Sequence, residues 1–144
     1  MKTLFPMLLI TFLLAGCAGR PPAHLGLTED GLAPCPDRPN CVSSQAPAPD
    51  HYVAPLSYED SREAARQRLA QVIRDMPRAE IAAQSPAYLR AEFTSAVLGF
   101  VDDVEFYFPE KPVIHVRSAA RLGYWDLGVN RKRVETIRER LTGP

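Results

Sequence analysis

The chain has 144 residues, of which 17 are basic and 17 are acidic, so its formal net charge is zero. This balance excludes the class of strongly basic chains that bind nucleic acids through bulk charge, and no nucleic-acid partner is predicted. The length is sufficient for one compact domain with a hydrophobic core of its own.

The N-terminus has the pattern of a bacterial lipoprotein signal peptide. Lys2 precedes an apolar run of 11 residues, Leu4–Leu14, and two small residues then lead to Cys17. An α-helix needs about 20 residues to span a bilayer, so this run is too short for a transmembrane helix. The sequence predicts a signal peptide over residues 1–16. It also predicts a mature chain that begins at Cys17, with palmitate or similar acyl chains attached there.

The predicted location is the periplasmic face of a bacterial membrane. Two acyl chains hold a protein stably on a bilayer, whereas a single chain gives only marginal binding. The residue after the acylated cysteine is the neutral Ala18, which favours the outer membrane; aspartate there would favour the inner membrane. The membrane is therefore a predicted partner, contacted through Cys17.

Residues 17–34 are predicted to form a proline-rich tether. Eight of the 14 prolines lie between Pro21 and Pro55, and residues 18–34 show no apolar periodicity. Such a composition favours an extended, polyproline-like chain over a packed core. At about 3.1 Å per residue, the tether would hold the domain up to roughly 50 Å from the membrane.

Cys35 and Cys41 are the two cysteines that remain once Cys17 is acylated. In an oxidising compartment this pair predicts a structural disulfide that closes a short loop. A metal site would need further ligands from the three histidines, and a redox-active pair is more usually spaced Cys-x-x-Cys. No metal and no cofactor are predicted.

Two helices are predicted to flank a region of β pattern. Ser57 is a suitable N-cap for the first helix, and Pro77 ends it. The apolar face of this helix comprises Ala65, Leu69, Val72, Ile73 and Met76. The last helix follows Asn130, and its apolar stripe comprises Val134, Ile137 and Leu141. Between the helices, as far as Arg121, polar and apolar residues alternate as they do in strands.

The two best-defined strands predict a hairpin with a loop over residues 109–113. Its expected cross-strand pairs are Phe106 with Val116, Tyr107 with His115, and Glu105 with Arg117. The order of elements predicts an α+β fold, in which an antiparallel sheet of about four strands has the N- and C-terminal helices packed on one face. A single domain is predicted over residues 35–144.

Three separated motifs resemble a known family. They are Pro39-Asn40-Cys41-Val42-Ser43-Ser44, Gly99-Phe100-Val101-Asp102-Asp103-Val104-Glu105, and Val116-Arg117-Ser118 together with Asp126-Leu127-Gly128-Val129-Asn130-Arg131-Lys132-Arg133. Over about residues 35–141 the chain resembles family 1499 of the domains of unknown function. One departure is Ala119-Ala120, where the family pattern would place a second serine. The resemblance implies a secreted or envelope domain, and it implies no reaction.

A group of cations lies where a helix is already electropositive. Arg131, Lys132 and Arg133 fall in the first turn of the last helix, where the helix dipole disfavours positive charge. Two kinds of anion would compensate them: an external phosphate or carboxylate, or the protein's own carboxylates. The candidate contacts for an external anion or partner are Arg117, Arg121, Arg131 and Arg133. The internal candidates, which would form an Arg–carboxylate lattice, are Asp102, Asp103 and Asp126.

The sequence gives little support for an enzyme. Adjacent Asp102 and Asp103 would point to opposite faces of a strand, so they cannot act as a carboxylate pair. His115 on a sheet face is more typical of a hydrogen-bonded histidine than of a catalytic base. No catalytic residue is predicted, and the expected role is to bind an envelope protein, a glycan or an anionic ligand. The alternative is a small envelope hydrolase or transferase that uses Asp102, Asp103 or His115.

Tyr124 and Trp125 lie in a loop between Gly123 and Gly128. Because a tryptophan can bury a large apolar area, the sequence favours packing of this pair beneath the loop. Stacking on a ligand or partner is the other interpretation.

Overall fold

The computed structural model describes residues 19–143. The signal peptide over residues 1–16 and the acylated Cys17 lie outside the described residues, so both stay predictions. No helix within the described residues is long and apolar enough to cross a membrane.

The described chain forms eight strands and two helices. In chain order these are β1 (Leu27–Thr28), β2 (Gly31–Leu32), β3 (Cys41–Ser43), β4 (Leu56–Ser57), α1 (Arg62–Arg74), β5 (Ala79–Ser85), β6 (Tyr88–Thr94), β7 (Val101–Tyr107), β8 (Val113–Ala120) and α2 (Val129–Thr142). β1 and β2 form a small ribbon of their own, and the other six strands form one sheet in the order β3-β8-β7-β6-β5, with β4 also paired to β8.

The fold class is α+β, as predicted, but the sheet has six strands where about four were expected. The additional strands are β3 and β4, which pair with the two ends of β8. They have three and two residues, respectively, and lie in the proline-rich region. Segments this short show no alternation of polar and apolar residues, so the sequence pattern does not identify them.

Both helices pack against the same face of the sheet. The core there combines alternate residues of three strands with the inner faces of the two helices. Its members include Leu89, Phe93, Val104, Phe106, Ile114 and Val116 from the sheet, and Leu69, Ile73, Val134 and Ile137 from the helices. Burial of each such side chain contributes about 1.5–3 kcal/mol to folding, so this layer supplies much of the stability.

The predicted starts of both helices need correction. Ser57 belongs to β4, where it pairs with Val113, and the actual N-cap of α1 is Ser61, whose hydroxyl accepts the Ala64 N–H at 3.1 Å. At Ser57, sheet pairing therefore outweighs the local preference for capping. α2 begins at Val129, so Asn130, which was expected to precede the helix, is its second residue.

The hairpin register is confirmed. β7 and β8 are antiparallel, and the paired residues are Phe106 with Val116, Tyr107 with His115, and Glu105 with Arg117. The rings of Tyr107 and His115 are stacked, with centroids 6.0 Å apart. Because side chains alternate along a strand, this register places the charged residues on the face opposite the helices, which we call the open face.

The segment predicted to be a free tether is described from Gly19 onward, and there it lies against the domain. The β1–β2 ribbon is held by Gln45, whose side chain accepts the Leu32 N–H at 2.9 Å. Leu32 and Ala33 are buried. Residues 19–34 thus partly cover the open face and do not extend away from it.

Candidate functional site

The open face carries a buried ion pair between Arg117 on β8 and Glu105 on β7. Arg117 Nη1 lies 3.2 Å from Glu105 Oε2, and the two side chains are only 2% and 0% exposed, respectively. The other carboxylate oxygen of Glu105 accepts the Tyr88 hydroxyl and the Gly26 N–H, each at 2.8 Å. Burial and the charge of Glu105 together raise the pKa of Tyr88 well above its ordinary value.

A second network of charges adjoins this pair. Asp103 lies between Arg121 and Arg90, at 2.7 Å and 2.8 Å, and Glu92 contacts both arginines. The hydrogen bonds that Arg121 donates to Asp103 are the largest influence that raises the pKa of Arg121. The internal Arg–carboxylate lattice offered by the sequence was expected to hold the last helix to the sheet edge, whereas this network lies on the open face and, within the described residues, involves no residue of α2. It includes Arg90 and Glu92, which the sequence reasoning missed.

The N-terminal segment contacts the buried arginine directly. Arg117 Nη2 donates to His24 Nε2 at 3.2 Å, and Gly26 is held by Glu105 as described above. Two residues of the segment predicted to be a tether thus complete the surroundings of a buried ion pair. Only the tertiary structure reveals this, since His24 and Arg117 are 93 positions apart.

A pocket of about 360 Å³ lies between this segment and the open face, and we call it the Arg117 pocket. Its lining includes Arg38, Arg117 and Arg121 but a single carboxylate, that of Asp103. Among the described residues, two buried side-chain polar atoms lack a hydrogen-bond partner, Arg117 Nε and Asn40 Oδ1. Both residues line this pocket.

A larger cavity, of about 510 Å³, lies between the β1–β2 ribbon and the disulfide loop. Alanines and prolines provide much of its wall, and it contains neither an arginine nor a side chain with a buried unpaired atom. The Arg117 pocket therefore has the stronger chemical basis for recognising a polar ligand.

The disulfide between Cys35 and Cys41 is present, and it is near both cavities. Its Cα atoms are 5.6 Å apart. Cys41 is buried in β3, where it pairs with Ala119 of β8. The bond therefore fastens the loop that carries Arg38 and Asn40 to the edge of the sheet.

The four candidate arginines do not form one cluster. Arg117 and Arg121 lie on the open face, whereas Arg133 lies on the helix face, where it pairs with Asp102 at 2.6 Å and covers the Phe93 ring. Arg131 donates to the carbonyl oxygens of Tyr52 and Asp50 at 2.7 Å and 2.8 Å. Arg131 and Arg133 thus have internal partners.

The positive charge at the N-terminus of α2 is compensated by a carboxylate of the protein itself. Asp126 accepts the N–H groups of Gly128 and Asn130, at 3.0 Å and 2.9 Å. Its carboxylate therefore occupies the position in which an external anion was considered. Gly128 permits this approach because it adopts φ +77°, a conformation that favours glycine.

Asn130 is a buried hydrogen-bonding centre that the sequence reasoning missed. Its Oδ1 accepts from Ser118 Oγ at 2.5 Å and from Arg133 Nη1 at 2.6 Å. Its Nδ2 donates to the Asn40 carbonyl oxygen and to Asp126. An asparagine amid the cations of the first turn was the available signal, because a buried amide needs several partners.

The residues of the enzymatic alternative are separated. Asp102 faces the helices and Asp103 faces the opposite side of the sheet. His115 pairs with Tyr107, which lies four residues, or about 13 Å, from Asp103 along β7. His115 Nδ1 instead lies 3.1 Å from the hydroxyl of Ser44, which also accepts the Val116 N–H. Burial raises the pKa of Asp102 and lowers that of His115. Within residues 19–143, no group of three His, Cys, Asp or Glu side chains could hold a metal ion.

The prediction that Tyr124 and Trp125 pack beneath their loop was wrong. Their exposed fractions are 68% and 66%. The short loop leaves the sheet after Arg121, and its Gly123 carbonyl oxygen is held by Asn40 at 2.8 Å. With the core already filled by residues of the sheet and helices, the loop places both aromatic rings in contact with solvent.

A single family model covers most of this domain. The model of the family described as "Protein of unknown function (DUF1499)" matches residues 31–141. The chain belongs to the DUF1499 family. The three motifs that carried the resemblance meet in the structure: Asn130 of the third motif bonds Asn40 and Ser118, and Arg117 pairs with Glu105 of the second. No curated protein matches the DUF1499 chain.

Proposed function

We propose that this DUF1499 protein is a lipid-anchored protein of the bacterial envelope that binds a small acidic ligand in the Arg117 pocket without converting it chemically. The observation that carries the proposal is the buried, unpaired Arg117 Nε in a pocket whose lining has three arginines and one aspartate. A buried donor without a partner costs about 1–3 kcal/mol, which a ligand that reaches it would recover.

The lining favours a ligand with both an acidic group and a hydroxyl or amide N–H. Arg38 is exposed, and among the described residues no ion pair involves it, so its guanidinium is free for a carboxylate or phosphate. Arg117 Nε supplies a donor, and Asn40 Oδ1 supplies an acceptor. Ligands of this class include acidic sugars and short acidic peptides.

The N-terminal segment is the wall that would move to admit the ligand. Both unpaired atoms are closed to solvent, and Pro22, His24 and Leu25 line the pocket. Next to the pocket, the described part of this segment is bonded to the open face by His24 to Arg117 and by Gly26 to Glu105. A ligand carboxylate that takes the place of His24 would retain a partner for the Arg117 guanidinium.

The location belongs to the same proposal. The lipoprotein pattern ending at Cys17 supports a location on the periplasmic face, and Ala18 favours the outer membrane. The Cys35–Cys41 disulfide supports an oxidising compartment. Incorporation of radiolabelled palmitate, lost in Cys17→Ser, tests the anchor, and fractionation of inner and outer membranes tests the location.

Ligand binding is tested by thermal shift of the mature protein with glycerol phosphate, muropeptides and acetate, and with glycerol as the neutral control. A saturable shift with an acidic probe is expected, reduced in Arg38→Gln and retained in Arg74→Gln. Arg74 is an exposed arginine at the end of α1, so its variant controls for loss of one positive charge.

No saturable shift with any acidic probe would contradict ligand binding. Product analysis of the muropeptide samples by mass spectrometry tests the non-enzymatic part of the proposal. Turnover that is lost in His115→Asn or Asp103→Asn would replace it with the hydrolase or transferase alternative.

A further inference from the structure

Exposed hydrophobic side chains are concentrated at one end of the sheet. Within residues 19–143, ten large hydrophobic side chains are exposed, and most lie in the β6–β7 and β8–α2 connections. We use the term apolar end for Val97, Leu98, Phe100, Tyr124, Trp125 and Leu127. Val97 is 91% exposed and Leu127 is 73% exposed, and a concentration of exposed hydrophobic side chains is typical of an interaction surface.

The two connections are neighbours in space. β8 ends where β7 begins, with Ala120 paired to Asp102 and the Arg121 N–H donating to the Val101 carbonyl oxygen at 3.1 Å. Both connections therefore lie at the same end of the sheet. The turns at the other end of the sheet, over residues 86–87 and 109–112, contribute none of the exposed large hydrophobic side chains.

The described chain begins at this same end. Arg121 Nη1 donates to the Gly19 carbonyl oxygen at 3.4 Å, and a Cβ placed on Gly19 would lie 3.6 Å from Leu122 Cγ. Gly19 is two residues after Cys17, and two residues span at most about 7 Å. If Cys17 carries acyl chains, as the proposed function holds, the membrane attachment point is therefore close to the apolar end.

Cations lie along one side of the apolar end, whereas the surroundings of Tyr124 and Trp125 also contain Asp37, Asp50 and Asp126. Arg20 follows Gly19 directly, while Arg78 and Lys132 line a shallow cavity together with Ser95 and Val129, which border the two connections. Among the described residues, no ion pair involves Lys132 or Arg78. Anionic phosphates at a bilayer surface attract such side chains, and Trp and Tyr side chains favour the same interfacial depth.

We propose that the apolar end lies on the bilayer surface, with Tyr124, Trp125 and Leu127 in the interfacial layer and Arg20 and Lys132 at the lipid phosphates. The partner is a phospholipid membrane, and the anchor at Cys17 brings this end to it. The domain then sits on the membrane, and the segment that lines the Arg117 pocket starts at the membrane surface.

Trp125 is the only tryptophan in the sequence, so its fluorescence reports this contact directly. The full mature protein is reconstituted into vesicles of phosphatidylethanolamine and phosphatidylglycerol that contain phospholipids brominated near the headgroup end of the acyl chains. We expect Trp125 to be quenched. In the matched control Trp125→Phe/Lys111→Trp, the tryptophan is at the opposite end of the sheet, and no quenching is expected.

Two further variants test the contributions of the hydrophobic side chains and of the cations separately. Tyr124→Ser/Leu127→Ser retains the reporter and is expected to reduce its quenching, and Arg20→Gln/Lys132→Gln is expected to remove the dependence of quenching on phosphatidylglycerol. These side chains are exposed, so the fold does not depend on them.

The outcomes of the vesicle experiment distinguish the membrane-facing orientation of the apolar end from the lipid anchor at Cys17. A protein that floats with vesicles but shows no quenching of Trp125 has an anchor and overturns the membrane-facing orientation. If the protein carries no palmitate but its Trp125 is quenched at high vesicle concentration, the anchor is contradicted and contact of the apolar end with the bilayer is supported. Shielding of Trp125 that depends on protein concentration in the absence of vesicles would assign the apolar end to a second copy of the chain and overturn the proposal.

Discussion

Arg117 and Glu105 face each other across β8 and β7 and form an ion pair that is almost completely removed from water. Their closest atoms, Nη1 and Oε2, are 3.2 Å apart. Further bonds hold both charges: Tyr88 and Gly26 donate to the carboxylate, and His24 accepts from the guanidinium. Each charge is therefore tolerated inside the domain only because the other is present.

Removal of one partner is expected to be strongly destabilising. Arg117→Met should lower the free energy of unfolding by about 3–5 kcal/mol, because it leaves a buried carboxylate without its counterion. Adding Glu105→Gln should restore a large part of the loss, since the amide oxygen can still accept from Tyr88 and Gly26. Urea unfolding of the two variants and the wild type measures this. Equal stability of the single and double variants would show that the uncompensated charge is not the cause.

Asn130 is expected to matter more for stability than its charged neighbours. Asn130→Ala removes the acceptor of the buried Ser118 hydroxyl and of one Arg133 N–H, and it should cost about 3 kcal/mol. Lys132→Ala, at an exposed position in the same turn, should change the unfolding free energy by less than about 0.5 kcal/mol. Chemical denaturation compares them, and similar losses for both would contradict the role assigned to the amide.

His115 should make the stability depend on pH. Burial lowers its pKa in the folded state below the ordinary value of 6.5, so the unfolded chain binds its proton more readily. The stability associated with neutral His115 is fully present above about pH 6.5 and is lost as the pH falls towards the folded-state pKa, by up to about 1.4 kcal/mol per pH unit.

The matched variant is His115→Asn, whose amide can hydrogen-bond Ser44 but does not titrate. Its unfolding free energy, measured between about pH 8 and pH 5, should fall less steeply than that of the wild type. His24 and His51 remain in both proteins, so the difference between the two curves isolates His115. Parallel curves would mean that this histidine is solvated in the folded state.

The disulfide should raise the free energy of unfolding, because it restricts the unfolded chain. Cys35→Ala/Cys41→Ala removes a cross-link that spans six positions and should cost about 2 kcal/mol. Unfolding with and without a reducing agent should differ for the wild type and coincide for the double variant. A wild type that is insensitive to complete reduction would contradict a stabilising role.

Local pattern was sufficient for much of the fold. Alternation over residues 88–97 and the apolar row of Val104, Phe106 and Phe108 identified two central strands, which the structure bounds as β6 and β7. The pairing of Phe106 with Val116 followed from the short hairpin loop. Capping was less predictable, since Ser57 and Ser61 are both acceptable N-caps by residue type. The choice between them depends on pairing of Ser57 with Val113, more than 50 positions away.

The candidate site was only partly predictable for the same reason. The sequence identified Arg117 and Arg121, along with the carboxylates that would neutralise arginines, because charge and strand periodicity are local properties. By itself it determined the α+β class, the central register and the family resemblance. Tertiary structure alone decided that His24 contacts Arg117, that Asp126 compensates α2, and that Trp125 is exposed. Such contacts join distant segments, and their energies depend on which surfaces the core has already covered.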